Sequence, residues 1–200
     1  MTGKLLFLLL GLKTVLGGVA YLPYEMTLTW TINADLAYFN LSIPTIRTTY
    51  MDWWGIGFKR SNETSDKASA DITIVSKSGL VSDRWASNNS CPSPDVLSGG
   101  RNTLTPLFSQ AIGSDTVTGW YRKLDTGDAY DIVLEAGAEY TVLWAIGNSQ
   151  QDGNVKMHSK HNRGAQTLTF THDYLDTCYT HSLLTCALLL PLSLLLYGAA

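Results

Sequence analysis

The chain has 200 residues, 45% hydrophobic and 16% charged, with a formal net charge of -3. That length and apolar content suit one globular core plus hydrophobic ends and leave no room for a second full catalytic domain. A slightly acidic balance without a basic block argues against a nucleic-acid partner, because phosphate recognition needs a concentrated Lys/Arg surface.

In chain order, Lys4 precedes an apolar run over 5–12, and Gly17-Gly18-Val19-Ala20 follows. A positive residue, a short apolar run and a small-residue region predict a signal peptide over 1–20. The run, broken by Lys13, falls short of the roughly 20 residues needed to span a bilayer. From 27 to 170 the pattern has period two. Leu28, Trp30 and Ile32 share a face, as do Phe39, Leu41 and Ile43, then Trp54, Ile56 and Phe58, then Tyr140, Val142 and Trp144. Turn chemistry separates these runs at Asn33-Ala34-Asp35, Ser76-Lys77-Ser78-Gly79, Asp125-Thr126-Gly127-Asp128 and Glu135-Ala136-Gly137. An irregular stretch over 87–101, with Pro92, Pro94, Gly99 and Gly100, reads as a loop across one end. The predicted fold is all-β, an immunoglobulin-like antiparallel β-sandwich over 25–172 between apolar targeting segments.

A short linker over 173–182 leads to a Leu-rich tail over 183–200 that contains Pro191 and has no Lys or Arg behind it. A stop-transfer helix carries basic residues on its cytoplasmic side. Their absence favours a glycosylphosphatidylinositol (GPI) attachment signal cut near Asp176-Thr177-Cys178, with a single-pass helix as the alternative. Asn40, Asn62 and Asn88 open glycosylation sequons that a eukaryotic secretory lumen would modify. Cys91 is alone in the domain, while Cys178 and Cys186 lie in the tail region. A Cys91–Cys178 disulfide is open to the chain if the tail is retained, and no metal or redox spacing exists among the three.

Seven landmarks occur in order: Trp30; Trp54-Gly55-Ile56-Gly57-Phe58; Ala68-Ser69-Ala70-Asp71-Ile72; Val81-Ser82-Asp83-Arg84-Trp85; Trp120 to Asp128; Val142-Leu143-Trp144-Ala145; and His158 ahead of Arg163-Gly164. This succession resembles the DOMON domain, the extracellular β-sandwich of dopamine β-hydroxylase-like monooxygenases and of the cytochrome domain of cellobiose dehydrogenase. The resemblance covers about residues 25 to 172. The residues themselves carry a physical reading too. Asp71, at the mouth of an apolar strand, should accept backbone N–H bonds, Arg122 can pair with such an acid, and Arg163-Gly164 should turn tightly into the last strand.

The resemblance implies a b-type haem held by a Met and a His in those relatives that carry one, a ligand pair suited to electron transfer. His158 stands for the His, with His161 as fallback. The expected Met position, four residues before Asp71, is Lys67, whose ammonium has no lone pair to offer iron. Met51 and Met157 fall elsewhere, and Met157 is adjacent to His158. The expectation is therefore a domain without bound haem, haem b being the alternative. No metal site is expected from His158 and His161 alone, and no catalytic residues are assigned. There is no Gly-X-Ser-X-Gly elbow and no His-X-His for copper. The expected function is a membrane-anchored, non-catalytic module at the cell surface that binds a carbohydrate or another extracellular partner, with Trp53, Trp85, Trp120 and Tyr121 as aromatic surface if exposed. The alternatives are a haem redox module and a truncated relative of the copper monooxygenases.

Overall fold

Residues 26–33 alternate a large apolar side chain with threonine. In the computed structural model, which describes residues 17–61, 69–87, 91–149 and 155–171, they form a strand that buries Met26, Leu28, Trp30 and Ile32. The β-branched threonines occupy the other side of the pleat, where their stiffness favours extended backbone. The same logic repeats through two antiparallel sheets. One holds β1 (Gly17–Leu22), β2 (Met26–Asn33), β3 (Leu36–Pro44), β8 (Thr105–Ile112) and β9 (Asp115–Lys123), in spatial order β1-β2-β3-β9-β8. The other holds β4 (Trp53–Arg60), β5 (Ala70–Ser76), β6 (Val81–Ala86), β7 (Ser93–Pro94), β10 (Glu139–Gly147) and β11 (Arg163–Thr169), in order β11-β10-β4-β5-β6-β7. Two one-turn helices, α1 (Thr45–Thr48) and α2 (Asp95–Ser98), sit where the chain passes from one sheet to the other.

The four apolar faces expected from the alternation are all buried, and they meet in one inter-sheet core. Phe170 is fully buried there. It stacks on Trp30 with ring centroids 5.5 Å apart, and Phe39 stacks on Trp120 at 5.6 Å. Such aromatic pairs add about 0.5–1.5 kcal/mol each beyond the area they bury. Trp53 and Trp120, weighed as aromatic surface, are buried, whereas Trp85 and Tyr121 are half-buried.

Several sequence expectations change in detail. Arg163 and Gly164 are not a turn: they open β11 and pair with Ala145 and Trp144. The stretch over 87–101 is not wholly irregular, since it carries β7 and α2. The β8–β9 hairpin, turning at Gly113 with φ 61°, has no alternating signature because every residue of β8 is exposed at the edge. Gly17 to Ala20, read as a cleavage region, belong to β1, which pairs with β2 from Gly17↔Thr31 to Leu22↔Met26. Lys67, Asn62, Asn88, Cys178, the 173–182 linker and the 183–200 tail lie outside the described residues.

Candidate functional site: an apolar cleft and a buried acid cluster

In β4 the residues alternating with core-facing Trp54, Ile56 and Phe58 are Trp53, Gly55 and Gly57, so this strand is buried on both faces. Antiparallel sandwiches usually leave the outer face of a sheet polar. Here the outer face of the second sheet carries its own apolar cluster of Trp53, Ala70, Ile72, Ile74 and Ala86, with Leu143, Ala145 and Val155 packed on it. A cleft of about 590 Å³ opens on this face. The two glycines leave its floor without side chains. A Cβ on Gly57 would stand 3.1 Å from Ile72 Cγ1 and 3.3 Å from Leu143 Cβ, and one on Gly55 would stand 3.0 Å from Ile74 Cδ1.

The segment 155–160 and the Cys91-Pro92 corner form the walls. His158 lines the cleft, half-buried, with its ring centroid 6.4 Å from that of Trp53 and Nδ1 3.1 Å from the Ser159 carbonyl. Lys156, Lys160 and Arg163 also line it, giving an apolar slot a cationic rim. The Cys91 thiol donates to the Val155 carbonyl at 3.4 Å. His161 is exposed and is not among the lining residues, while Met51 packs against the inter-sheet core. Among the described residues, then, the fold brings His158 and the adjacent Met157 to the cleft, and neither His161 nor Met51 lines it.

These residues fit a flat apolar guest with an acidic end, as haem is. They give an iron one imidazole. Met157, the chain neighbour of His158, is poorly placed to reach the opposite face of the same plane. Bound haem would bring electron-transfer chemistry; His158 would hold it, and the cationic rim would face its carboxylates.

A second concentration of polar groups lies between the sheets, and sequence reasoning saw only part of it. Asp71 of β5 and Arg122 of β9 join the two sheets by a buried ion pair. Asp71 also accepts the Ile132 N–H at 3.1 Å, as expected, and Arg122 donates to the Ile132 carbonyl at 2.7 Å. Asp83 of β6 accepts from the backbone N–H and the hydroxyl of Thr103, both at 2.8 Å, and Asp131 accepts from the Thr126 hydroxyl at 2.5 Å. Asp95, the first residue of α2, is 1% exposed, and among the described residues neither carboxylate oxygen has a hydrogen-bond partner. Burial pushes the Asp95 carboxyl up to about 8, with Asp83, Asp131, Asp71 and Asp128 adding to the rise. Burial also raises Asp83, to about 6, against the Thr103 hydrogen bonds. In the ion pair, burial raises Asp71 while Arg122 pulls it down; burial works against the Arg122 charge too, but Asp71 and its neighbouring acids outweigh it. The signal that could have drawn these acids together was the crowding of Asp125, Asp128 and Asp131 in one loop, opposite Asp71 and Asp83 in paired strands.

A family model for the DOMON domain matches residues 23–147. The chain belongs to the DOMON family. No curated protein sequence matches it significantly. Among solved structures, this DOMON domain is similar to the cytochrome b domain of pyranose dehydrogenase from Coprinopsis cinerea, with a TM-score of 0.51 and 14% identity over 83% of this chain and 87% of that one. At that identity the likeness concerns the fold.

Proposed function

We propose that the protein is an extracellular DOMON module, tethered to the membrane by its C-terminal tail, that binds a flat, largely apolar ligand with an anionic end and does not transform it. The observation that carries this reading is the outer face of the second sheet. It is apolar where solvent-facing sheet is ordinarily polar, it is floored by Gly55 and Gly57, and it is rimmed by Lys156, Lys160 and Arg163. Trp53 and Trp144 line the same cleft and supply a built-in reporter. Titrating the full chain with the anionic fluorophore anilinonaphthalene sulfonate should quench tryptophan emission saturably. Gly57→Leu, which fills the floor, should abolish the quenching, and Arg163→Glu should weaken binding about tenfold. Quenching that survives Gly57→Leu places the binding elsewhere and overturns the reading.

A second reading, a b-type haem module, is favoured by His158 in the wall of this slot. An absorbance spectrum of the full chain secreted from eukaryotic cells distinguishes the two. The expectation is that Lys67 in place of a Met ligand leaves the protein without six-coordinate haem, that Lys67→Met creates or strengthens haem binding, and that adding His158→Ala to that variant removes it. A stoichiometric Soret band from the unaltered chain, shifting on reduction, would instead assign electron transfer.

A further inference from the structure

We infer that Asp71, Asp83, Asp95 and Asp131 form an inter-sheet binding site for a divalent cation of the calcium class. One oxygen each from Asp71, Asp83 and Asp131 lie within 4.8 Å of one another. Two ligands of one ion can stand no farther apart than twice the metal–oxygen distance, and calcium–oxygen distances of about 2.3–2.6 Å put that limit near 5 Å. The first observation is thus a triangle of the right size.

The second is independent of it. Asp83 Oδ1, Asp131 Oδ1 and both oxygens of Asp95 are buried and accept no hydrogen bond among the described residues, although the other oxygens of Asp83 and Asp131 do accept them. Buried carboxylate oxygens normally have partners. Here four such oxygens, on three residues from β6, α2 and the loop before β10, are left over at once.

Charge points the same way. Arg122 is bonded to Asp71 and to the Ile132 carbonyl. Arg84, which also feels Asp95, spends its guanidinium on the Ser82 hydroxyl and the Pro92 carbonyl. Once all four carboxylates are ionised, these two cations leave two negative charges, which one divalent ion neutralises. The donor set is all oxygen, with no His or Cys among its members, and such sets select hard cations over zinc or copper. The ion would join strands β5 and β6 to α2 and to the 124–138 loop, which otherwise hold this end of the sandwich through hydrogen bonds.

The test uses the full chain in detergent, stripped with EDTA and dialysed. Calorimetric titration with calcium chloride should show one ion per chain, and saturating calcium should raise the melting midpoint by roughly 5–10 °C. Asp95→Asn and Asp83→Asn, each isosteric, should weaken calcium at least tenfold. Terbium offers a readout of place. Trp85 lies across the strand pair from Asp71 and packs on Tyr130, the neighbour of Asp131. Sensitised terbium emission should therefore be displaced by calcium and fall in Trp85→Phe. No heat and no midpoint shift with calcium overturns the proposal, as does calcium affinity unchanged in both Asp variants. Equal affinity for magnesium overturns the calcium assignment.

Discussion

Arg122 reaches from one sheet to an acid on the other, and its neighbours determine what its loss would do. Both partners of the Arg122–Asp71 pair are at most 4% exposed. Removing one leaves the other buried and uncompensated, which costs about 3–5 kcal/mol, far more than the pair itself contributes relative to a well-packed apolar replacement. Arg122→Met should lower the urea-unfolding free energy by about that amount, while Arg122→Met with Asp71→Leu should recover much of it. A double variant no more stable than the single one would show that the pair, rather than the stranded carboxylate, carries the effect. The pairing itself was legible as a buried acid and a basic residue at strand ends. That Asp131 meets Asp71 and Asp83, with Asp95 close enough to feel all three, was not, because Asp95 opens α2 and Asp131 lies in the loop before β10, and only the closed sandwich brings them together.

At the scale of elements, β1 is the informative strand. Ala20 and Leu22 enter the core, and Gly18 packs so closely on the Trp30 ring that any side chain there would collide with it. Processing after Ala20 would remove four of the six residues of this strand and leave the β2 edge open. Exposed edges of this kind promote association between chains. The secreted protein is therefore expected to begin at or before Gly17, and intact-mass measurement with N-terminal sequencing checks it. A mature chain starting at Tyr21 would show that the sandwich tolerates an open β2. A small-residue run reads equally well as a cleavage region and as a strand that lies under a tryptophan, and sequence patterning alone does not separate the two.

For the whole molecule, the anchor and the cysteines are coupled. Cys91 is free among the described cysteines and sits in the cleft wall, bonded to the Val155 carbonyl. If the tail is exchanged for lipid near Asp176, Cys178 leaves with it and Cys91 stays unpaired. If the tail is kept as a helix, a Cys91–Cys178 bridge becomes available and would stabilise the domain by about 2–5 kcal/mol. Of the two, exchange of the Leu-rich tail for lipid is the expected outcome. Phosphatidylinositol-specific phospholipase C should thus release the protein from cells with Cys91 open to alkylation. Protein that resists release and yields an intact 182–200 peptide by mass spectrometry would assign the membrane helix.

What the sequence determined by itself follows from local repetition. Alternation at Leu28 to Ile32, Phe39 to Ile43, Trp54 to Phe58 and Tyr140 to Trp144 specifies strands and their inward faces, because the pleat sends successive side chains to opposite sides. Turn residues such as Ala34, Gly79 and Gly137 adopt the positive φ that ends those strands. The ordered landmarks were enough for the family. Only the tertiary structure decided that the outward face of β4, β5 and β10 is a cleft, since Gly55 and Gly57 become a floor when Ile72, Leu143 and the 155–160 segment stand around them. It alone also decided which carboxylates meet. Those residues are 12 to 60 positions apart in the chain, and neither period nor spacing encodes a contact that arises when two sheets close on one another.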